Sequence, residues 1–364
     1  MRRLLGPCAL VLGLSMFLLL WAPAADAKKK PKTFKPASVP VTFTVKNTNT
    51  SQFPCASDGL TYQVKGHITG PATAVTAAKH KKKKKKKASA VTLYLHGLGL
   101  GEWLWDFQPV PAYNYALQQA RARHVSVTVD RLGYGASGRP DGNGSCIGSQ
   151  ADVAHQLVQA LKTGTYAVAT GKPKRFKRVA LAGHSAAGEI AILEAYSYKD
   201  VNALVVVSFS YSNLGAANIA FGNQRNACTA GGLPVSTAGA PHYAFFGQTA
   251  AEFTAAMFHS ATQAVRNAAV PLHFPDPCGD NLSLTDALNK QAAGARQIKV
   301  PAVVVCGAND ALYAPFGCDA QAQRFTGKDT RSIIIKNAGH ALPLEATART
   351  FRAKLGSWLA RRGF

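Results

Sequence analysis

Three residues in the second half of the chain have the types and the order that acyl-transfer chemistry needs. Ser185 stands in Gly183-His184-Ser185-Ala186-Ala187-Gly188, after an apolar run and before a helical one. A serine hydroxyl is a weak nucleophile unless a base takes its proton. Small flanking residues allow the sharp strand-to-helix turn of a nucleophile elbow. Asp310 closes Cys306-Gly307-Ala308-Asn309-Asp310, and His340 closes Asn337-Ala338-Gly339-His340. Each follows its own short apolar run. The imidazole can serve as base, and the carboxylate can orient it. Two backbone N–H groups complete the set. Ala186 N–H opens the helix after the serine, and Leu98 N–H lies in the glycine-rich turn His96-Gly97-Leu98-Gly99. Both could face a developing oxyanion. The His96 side chain is expected to pack or hydrogen-bond within its turn.

These residues must be carried by something rigid. Val41–Val45 and Tyr62–Ile68 alternate as strands do. Beyond them, apolar β-type runs (Val91–Leu95, Val125–Val129, Val179–Ala182, Ala203–Ser208, Val300–Cys306, Ser332–Ile335) alternate with helical segments (Ala112–Arg123, Ala151–Leu161, Ala186–Tyr198, Pro343–Ala360). Such alternation predicts an α/β fold with a mostly parallel, doubly wound sheet. Ser185, Asp310 and His340 all fall just past strand ends, where open α/β sheets place their sites. The interval 209–298 lacks β alternation and is read as an inserted, mainly helical cap. The hydrolytic core is then 41–208 plus 299–364.

His96-Gly97-Leu98-Gly99 with Trp103 downstream, Asp130-Arg131-Leu132-Gly133-Tyr134-Gly135-Ala136-Ser137, the Ser185 turn, Gly307-Ala308-Asn309-Asp310 and Ala338-Gly339-His340 together resemble the α/β-hydrolase superfamily, in its capped branch, over roughly residues 41 to 364. Ala187 replaces the usual last glycine of the elbow. The resemblance implies the α/β-hydrolase fold and a Ser185–His340–Asp310 triad acting through an acyl-enzyme, with no cofactor and no metal. Serine at the elbow disfavours the dehalogenases and epoxide hydrolases of this fold, which use aspartate there. Carboxylic esters with an apolar acyl or alcohol group are the expected substrates. Trp103, Trp105, His184 and Phe209 are the pocket candidates. A peptidase or amidase would need cap carboxylates for a substrate amine, and the cap offers few: Glu252, Asp276, Asp280 and Asp286. A cofactor-free peroxidase-like member would use the same triad. A non-catalytic binding protein is the reading from a different class.

Composition sets the surroundings. A chain of 364 residues that is 47% hydrophobic and 16% charged can build a large core. Its net charge is +24, but 13 lysines crowd into Lys28–Lys35 and Lys79–Lys87. A nucleic-acid binder would spread its basic residues over a face with aromatics between them, so no specific nucleic-acid partner is expected. Residues 1–27 read as an export signal: Arg2 and Arg3, the apolar run Ala9 to Trp21, then Ala25-Asp26-Ala27. No other run is long and apolar enough to span a membrane. Residues 28–40 form a basic linker, and 79–87 a lysine-rich solvated loop. Lys81–Lys87 could adhere to an anionic surface or polymer. Six cysteines would remain after export, an even count that favours disulfides in a secreted or envelope-associated protein. Cys306–Cys318 and Cys228–Cys278 are candidate pairs, and sequence alone leaves the connectivity open.

Overall fold

The structure is a computed structural model that describes residues 35–75, 89–211 and 219–364. The residues read as an export signal and the lysine-rich stretch lie outside the described residues, as does most of the expected basic linker.

In chain order the elements are β1 (Pro36–Lys46), β2 (Thr61–Pro71), α1 (Ala72–Val75), β3 (Ala90–Leu95), α2 (Tyr115–Arg121), β4 (Ser126–Val129), α3 (Ile147–Thr163), β5 (Ala167–Val168), β6 (Arg178–His184), α4 (Ala186–Tyr198) and β7 (Ala203–Val207). Then follow α5 (Ile219–Thr229), α6 (Val235–Ala238), β8 (Tyr243–Ala244), α7 (Ala250–Met257), α8 (Gln263–Ala269), β9 (Asp276–Pro277), α9 (Cys278–Gly294), β10 (Ala302–Gly307), α10 (Phe316–Gln323), β11 (Thr330–Ile335) and α11 (Ala348–Arg361). Nine strands form one sheet in the order β11-β10-β7-β6-β3-β4-β2-β1-β5. The six from β11 to β4 run parallel. β2, β1 and β5 add an antiparallel wing. This is the expected mostly parallel α/β-hydrolase fold.

The residues dictate this division. β1 alternates, burying Val39, Val41, Phe43 and Val45 while its intervening residues meet solvent more, as a wing strand with one dry face must. β7 and β10 are Ala-Leu-Val-Val-Val and Ala-Val-Val-Val-Cys-Gly, buried at every position. Only a strand covered on both faces can be apolar throughout, and β-branched residues suit the pleat. Helix α4 is buried from Ala186 to Tyr196 and packs against α3 and α9. Each large aliphatic side chain enclosed there contributes about 1.5–3 kcal/mol.

Three helices differ from expectation for physical reasons. Helix α3 starts earlier, at Ile147, because Cys146 and Ser149 form a reciprocal cap. The expected helix over 250–269 is broken: Phe258 is extended, and the N–H groups of His259 and Ser260 donate to the Glu345 carboxylate at 2.8 and 2.6 Å. The last helix starts later than expected. Residues Leu342–Leu344 form a single 3₁₀ turn, and α11 begins only at Ala348. Three disulfides are present: Cys55–Cys146, Cys228–Cys278 and Cys306–Cys318. Cys55–Cys146 ties the β1–β2 connection to the start of α3, across 91 residues.

Candidate active site

The parallel strands deliver chemistry at their carboxyl ends. Ser185 follows β6 directly, at φ 54° and ψ −129°. A non-glycine residue in that region is strained by about 1–3 kcal/mol and persists only where its surroundings hold it. Here its N–H donates to Val207 O at 2.9 Å, and its carbonyl accepts from Gly188 N–H at 2.6 Å. The tight bend also explains Gly183, whose added Cβ would lie 1.8 Å from Ala187 O. Ala187 itself is fully buried without disturbing the turn.

Asp310 and His340 meet beyond β10 and β11. Asp310 Oδ1 accepts the N–H groups of Leu312 at 2.8 Å and Tyr313 at 3.2 Å, a side-chain-to-backbone turn that fixes the carboxylate. Its Oδ2 lies 2.9 Å from His340 Nδ1, and both side chains are fully buried. A carboxylate can only accept here, so Nδ1 carries the proton and Nε2 presents a lone pair. Nε2 is buried and has no hydrogen-bond partner among the described residues, the Ser185 hydroxyl included. Catalytic hydrogen bonds of unliganded sites often close only when substrate arrives.

What brings Ser185 and His340 to one place is the residue between them. The His184 ring sits 4.7 Å from the His340 ring, and its Nε2–H donates to the His340 carbonyl at 3.0 Å. Ser208 Oγ donates to the same carbonyl at 2.7 Å. Burial, with His340 nearby, holds the His184 pKa well below the usual range, so the ring stays neutral. Tyr313 stacks on the other side of His340, 5.9 Å between centroids.

The glycine-rich turn after β3 closes on the same point. Gly97 is pressed against the elbow so tightly that an added Cβ would stand 2.6 Å from Ser185 Cβ. Leu98 is therefore beside the serine, and Ala186 N–H begins α4, where the first N–H groups have no partner within the helix. His96 points away from the chemistry. Its Nε2 accepts from Arg131 N–H at 3.0 Å, so its Nδ1–H donates to Gly97 O at 2.9 Å. Burial, then the Arg131 charge, keeps it neutral.

The sequence matches the alpha/beta hydrolase family over residues 93–353. The chain belongs to that family. No curated protein matches it by sequence. Among solved structures, an esterase from Thermogutta terrifontis aligns with a TM-score of 0.60 at 19% identity, covering 88% of this chain and 100% of that one. A monoacylglycerol lipase from Paleococcus ferrophilus aligns at 0.53 and 16%, covering 75% and 95%. A hydrolase from Pseudomonas aeruginosa PA01 aligns at 0.57 and 19%, covering 85% and 98%. At such identities these likenesses concern the fold.

The hydrolase builds its glycine-rich turn on two carboxylates from the segment between β7 and β10. Asp276 Oδ1 accepts Gly99 N–H at 2.6 Å, while Oδ2 accepts from Gln224 at 2.6 Å and Phe246 N–H at 3.2 Å. Burial pushes the Asp276 carboxyl up to about 7. Asp280 is also buried and binds Arg131 Nη1 at 2.9 Å and Ser145 Oγ at 2.9 Å. Arg131 in turn donates its Nε–H to His96 O at 2.8 Å. A third carboxylate, Glu345, supports the histidine turn, accepting Gly339 N–H at 3.0 Å as well as His259, Ser260 N–H and Ser260 Oγ. Sequence reasoning missed Asp276, Asp280 and Glu345 as supports. Two of them were visible there only as cap carboxylates.

The four pocket candidates fall in different places. Trp105 is fully buried, donates its indole N–H to Leu95 O and packs on Tyr94 and Tyr115. His184 lies beneath the serine, as described. Phe209 is buried behind the elbow, against Gly188 and Tyr313. Trp103 is half-buried, with an indole N–H that has no partner among the described residues. None of these three catalytic or two oxyanion candidates needs a metal. Among the described residues, His67–Glu102–Asp106 and His155–Glu194–Asp200 are the groups spaced to ligate one. Neither includes a residue of this site.

Proposed function

We propose that the protein is an exported serine hydrolase that cleaves carboxylic esters of small molecules with an apolar acyl or alcohol group. His340 Nε2 takes the Ser185 proton as the hydroxyl attacks the ester carbonyl, and Asp310 holds the imidazole in the required tautomer and stabilises its cation. Leu98 and Ala186 N–H groups receive the oxyanion. The imidazolium then protonates the leaving alcohol, and water releases the acyl-enzyme. One observation carries the reading: an aspartate-bound histidine whose Nε2 is buried and unpartnered, held against a strained serine turn.

Ester rather than peptide cleavage is supported by the fate of the acidic residues between β7 and β10. Asp276 and Asp280 are buried and spent on protein donors, and Glu252 accepts from Gln248 N–H at 2.7 Å. That leaves little to hold a substrate amine. Export is supported by the N-terminal pattern and by three disulfides, which persist in oxidising compartments. No helix among the described residues is long and apolar enough to cross a membrane. Residues Lys81–Lys87 add adhesion to anionic polymer or surface.

The test is turnover of p-nitrophenyl esters of rising chain length by the protein made in an oxidising host. Ser185→Ala is expected to lower kcat by at least about 10³-fold and to lose fluorophosphonate labelling. A folded wild type that neither turns over nor labels would leave a binding protein in its place.

A further inference from the structure

Helix α4 carries a carboxylate at its far end that meets no N–H donor. Glu194 is fully buried, and its recorded hydrogen-bond contact among the described residues is the Asp200 carboxyl group. A buried carboxylate without donors is strongly disfavoured. Asp200, just past α4, faces Glu194 and adds Oδ1, which is buried and reached by no N–H donor among the described residues. His155, on the neighbouring α3, brings Nδ1 to 3.0 Å from Asp200 Oδ2. One donor atom from each of the three residues lies within 4.8 Å of the others. Ligands on a common tetrahedral ion with bonds near 2.05 Å stand about 3.4 Å apart, so a modest contraction suffices.

We propose that His155, Glu194 and Asp200 form a binding site for a divalent transition metal, Zn²⁺ in the first instance. One imidazole and two carboxylates, completed by a water, make a four-coordinate set that suits zinc. Calcium would demand six to eight oxygens, which this corner lacks. Gln159 donates to Asp200 Oδ2, Lys162 stands 3.7 Å from the same oxygen and donates to the Asp200 carbonyl, and Tyr198 stacks on His155 at 4.0 Å. Half-exposed His155 provides the way in.

The role is structural. Glu194 follows Ser185 by nine residues, about 14 Å along the helix, so the ion would clasp α3, α4 and the turn into β7 without touching the ester. The experiment compares purified wild type, Glu194→Gln and His155→Gln. Each is stripped with EDTA, dialysed against excess ZnCl₂, then against metal-free buffer. Zinc is counted by mass spectrometry, and Tm is measured with and without it. Wild type is expected to retain about one equivalent more than either variant, and zinc to raise the wild-type Tm by more than that of either variant. Zinc held at His67–Glu102–Asp106 would be common to all three and cancel. Glu194→Gln keeps the size and shape of the side chain, and His155→Gln reads the same loss if that variant does not fold. Equal zinc in all three, or none retained by wild type, overturns the proposal and leaves a carboxyl pair sharing a proton.

Discussion

Gly97→Ala is the sharpest test of how the glycine-rich turn serves the serine. The new methyl would sit 2.6 Å from Ser185 Cβ and 3.1 Å from both His184 Nδ1 and His184 O. Unbonded carbons settle at about 3.5–4.0 Å, so the turn must retreat by about 1 Å. The serine cannot yield instead. Its backbone is held at φ 54° between β6 and α4, with its N–H on Val207 O. Leu98 N–H therefore moves with the turn. Loss of one oxyanion donor costs about 10²–10³ in kcat, and a misplacement of about 1 Å costs a similar factor. The expected result is a kcat on p-nitrophenyl butyrate lowered by about 10²–10³, a smaller change in KM, and a stability loss of about 1–3 kcal/mol from overpacking. The assay is initial rates across substrate concentration, beside thermal unfolding. A folded variant with kcat within about threefold of wild type would refute the placement of Leu98 N–H on the reaction path.

Other perturbations follow from the buried carboxylates. Glu345→Gln turns an oxygen that receives His259 and Gly339, or Ser260, into a donor facing a donor. An unsatisfied buried N–H costs about 1–3 kcal/mol, so Tm should fall by several degrees and fluorophosphonate labelling should slow. Unchanged values for both would show that the histidine turn stands without it. Glu189 in α4 is buried, and burial raises its carboxyl from 4.5 to about 8. The folded state then holds a proton that the unfolded chain has released. Its contribution is complete below about 4.5 and is lost as pH rises through about 8. Relative to Glu189→Gln, wild-type stability should decline by about 1.4 kcal/mol per pH unit in that window, read by urea unfolding. Parallel curves for the two proteins would contradict this.

Much of this was legible in the sequence because strands and their ends are local signals. The Val-rich runs of β7 and β10 declare full burial, and Ala186–Tyr198 is a helix with the expected bounds. Asp310 and His340 could be singled out because each follows such a run within a few residues. The supports could not. Asp276 meets Gly99 across 177 positions, and Glu345 meets His259 across 86. No periodicity encodes which donor a distant carboxylate will satisfy. The surroundings of the aromatic residues were hidden for a related reason. Trp105 and Phe209 are enclosed in part by rings from distant segments, His184 and Tyr313. The helix break at 258–262 has such a cause, the Glu345 carboxylate capturing the N–H groups of His259 and Ser260.

The bonds from Asp276 to Gly99 and from Asp280 to Arg131 bear on how such an enzyme can be re-engineered. A segment that only covered a cleft could be exchanged for another family member's to alter selectivity. Here the excursion between β7 and β10 supplies acceptors to Gly99 N–H and to Arg131. A chimaera that discards residues 276–280 would strip the glycine turn of its fastening. Grafts should therefore be cut on the β7 side of Asp276, leaving that short acidic stretch and α9 with the host.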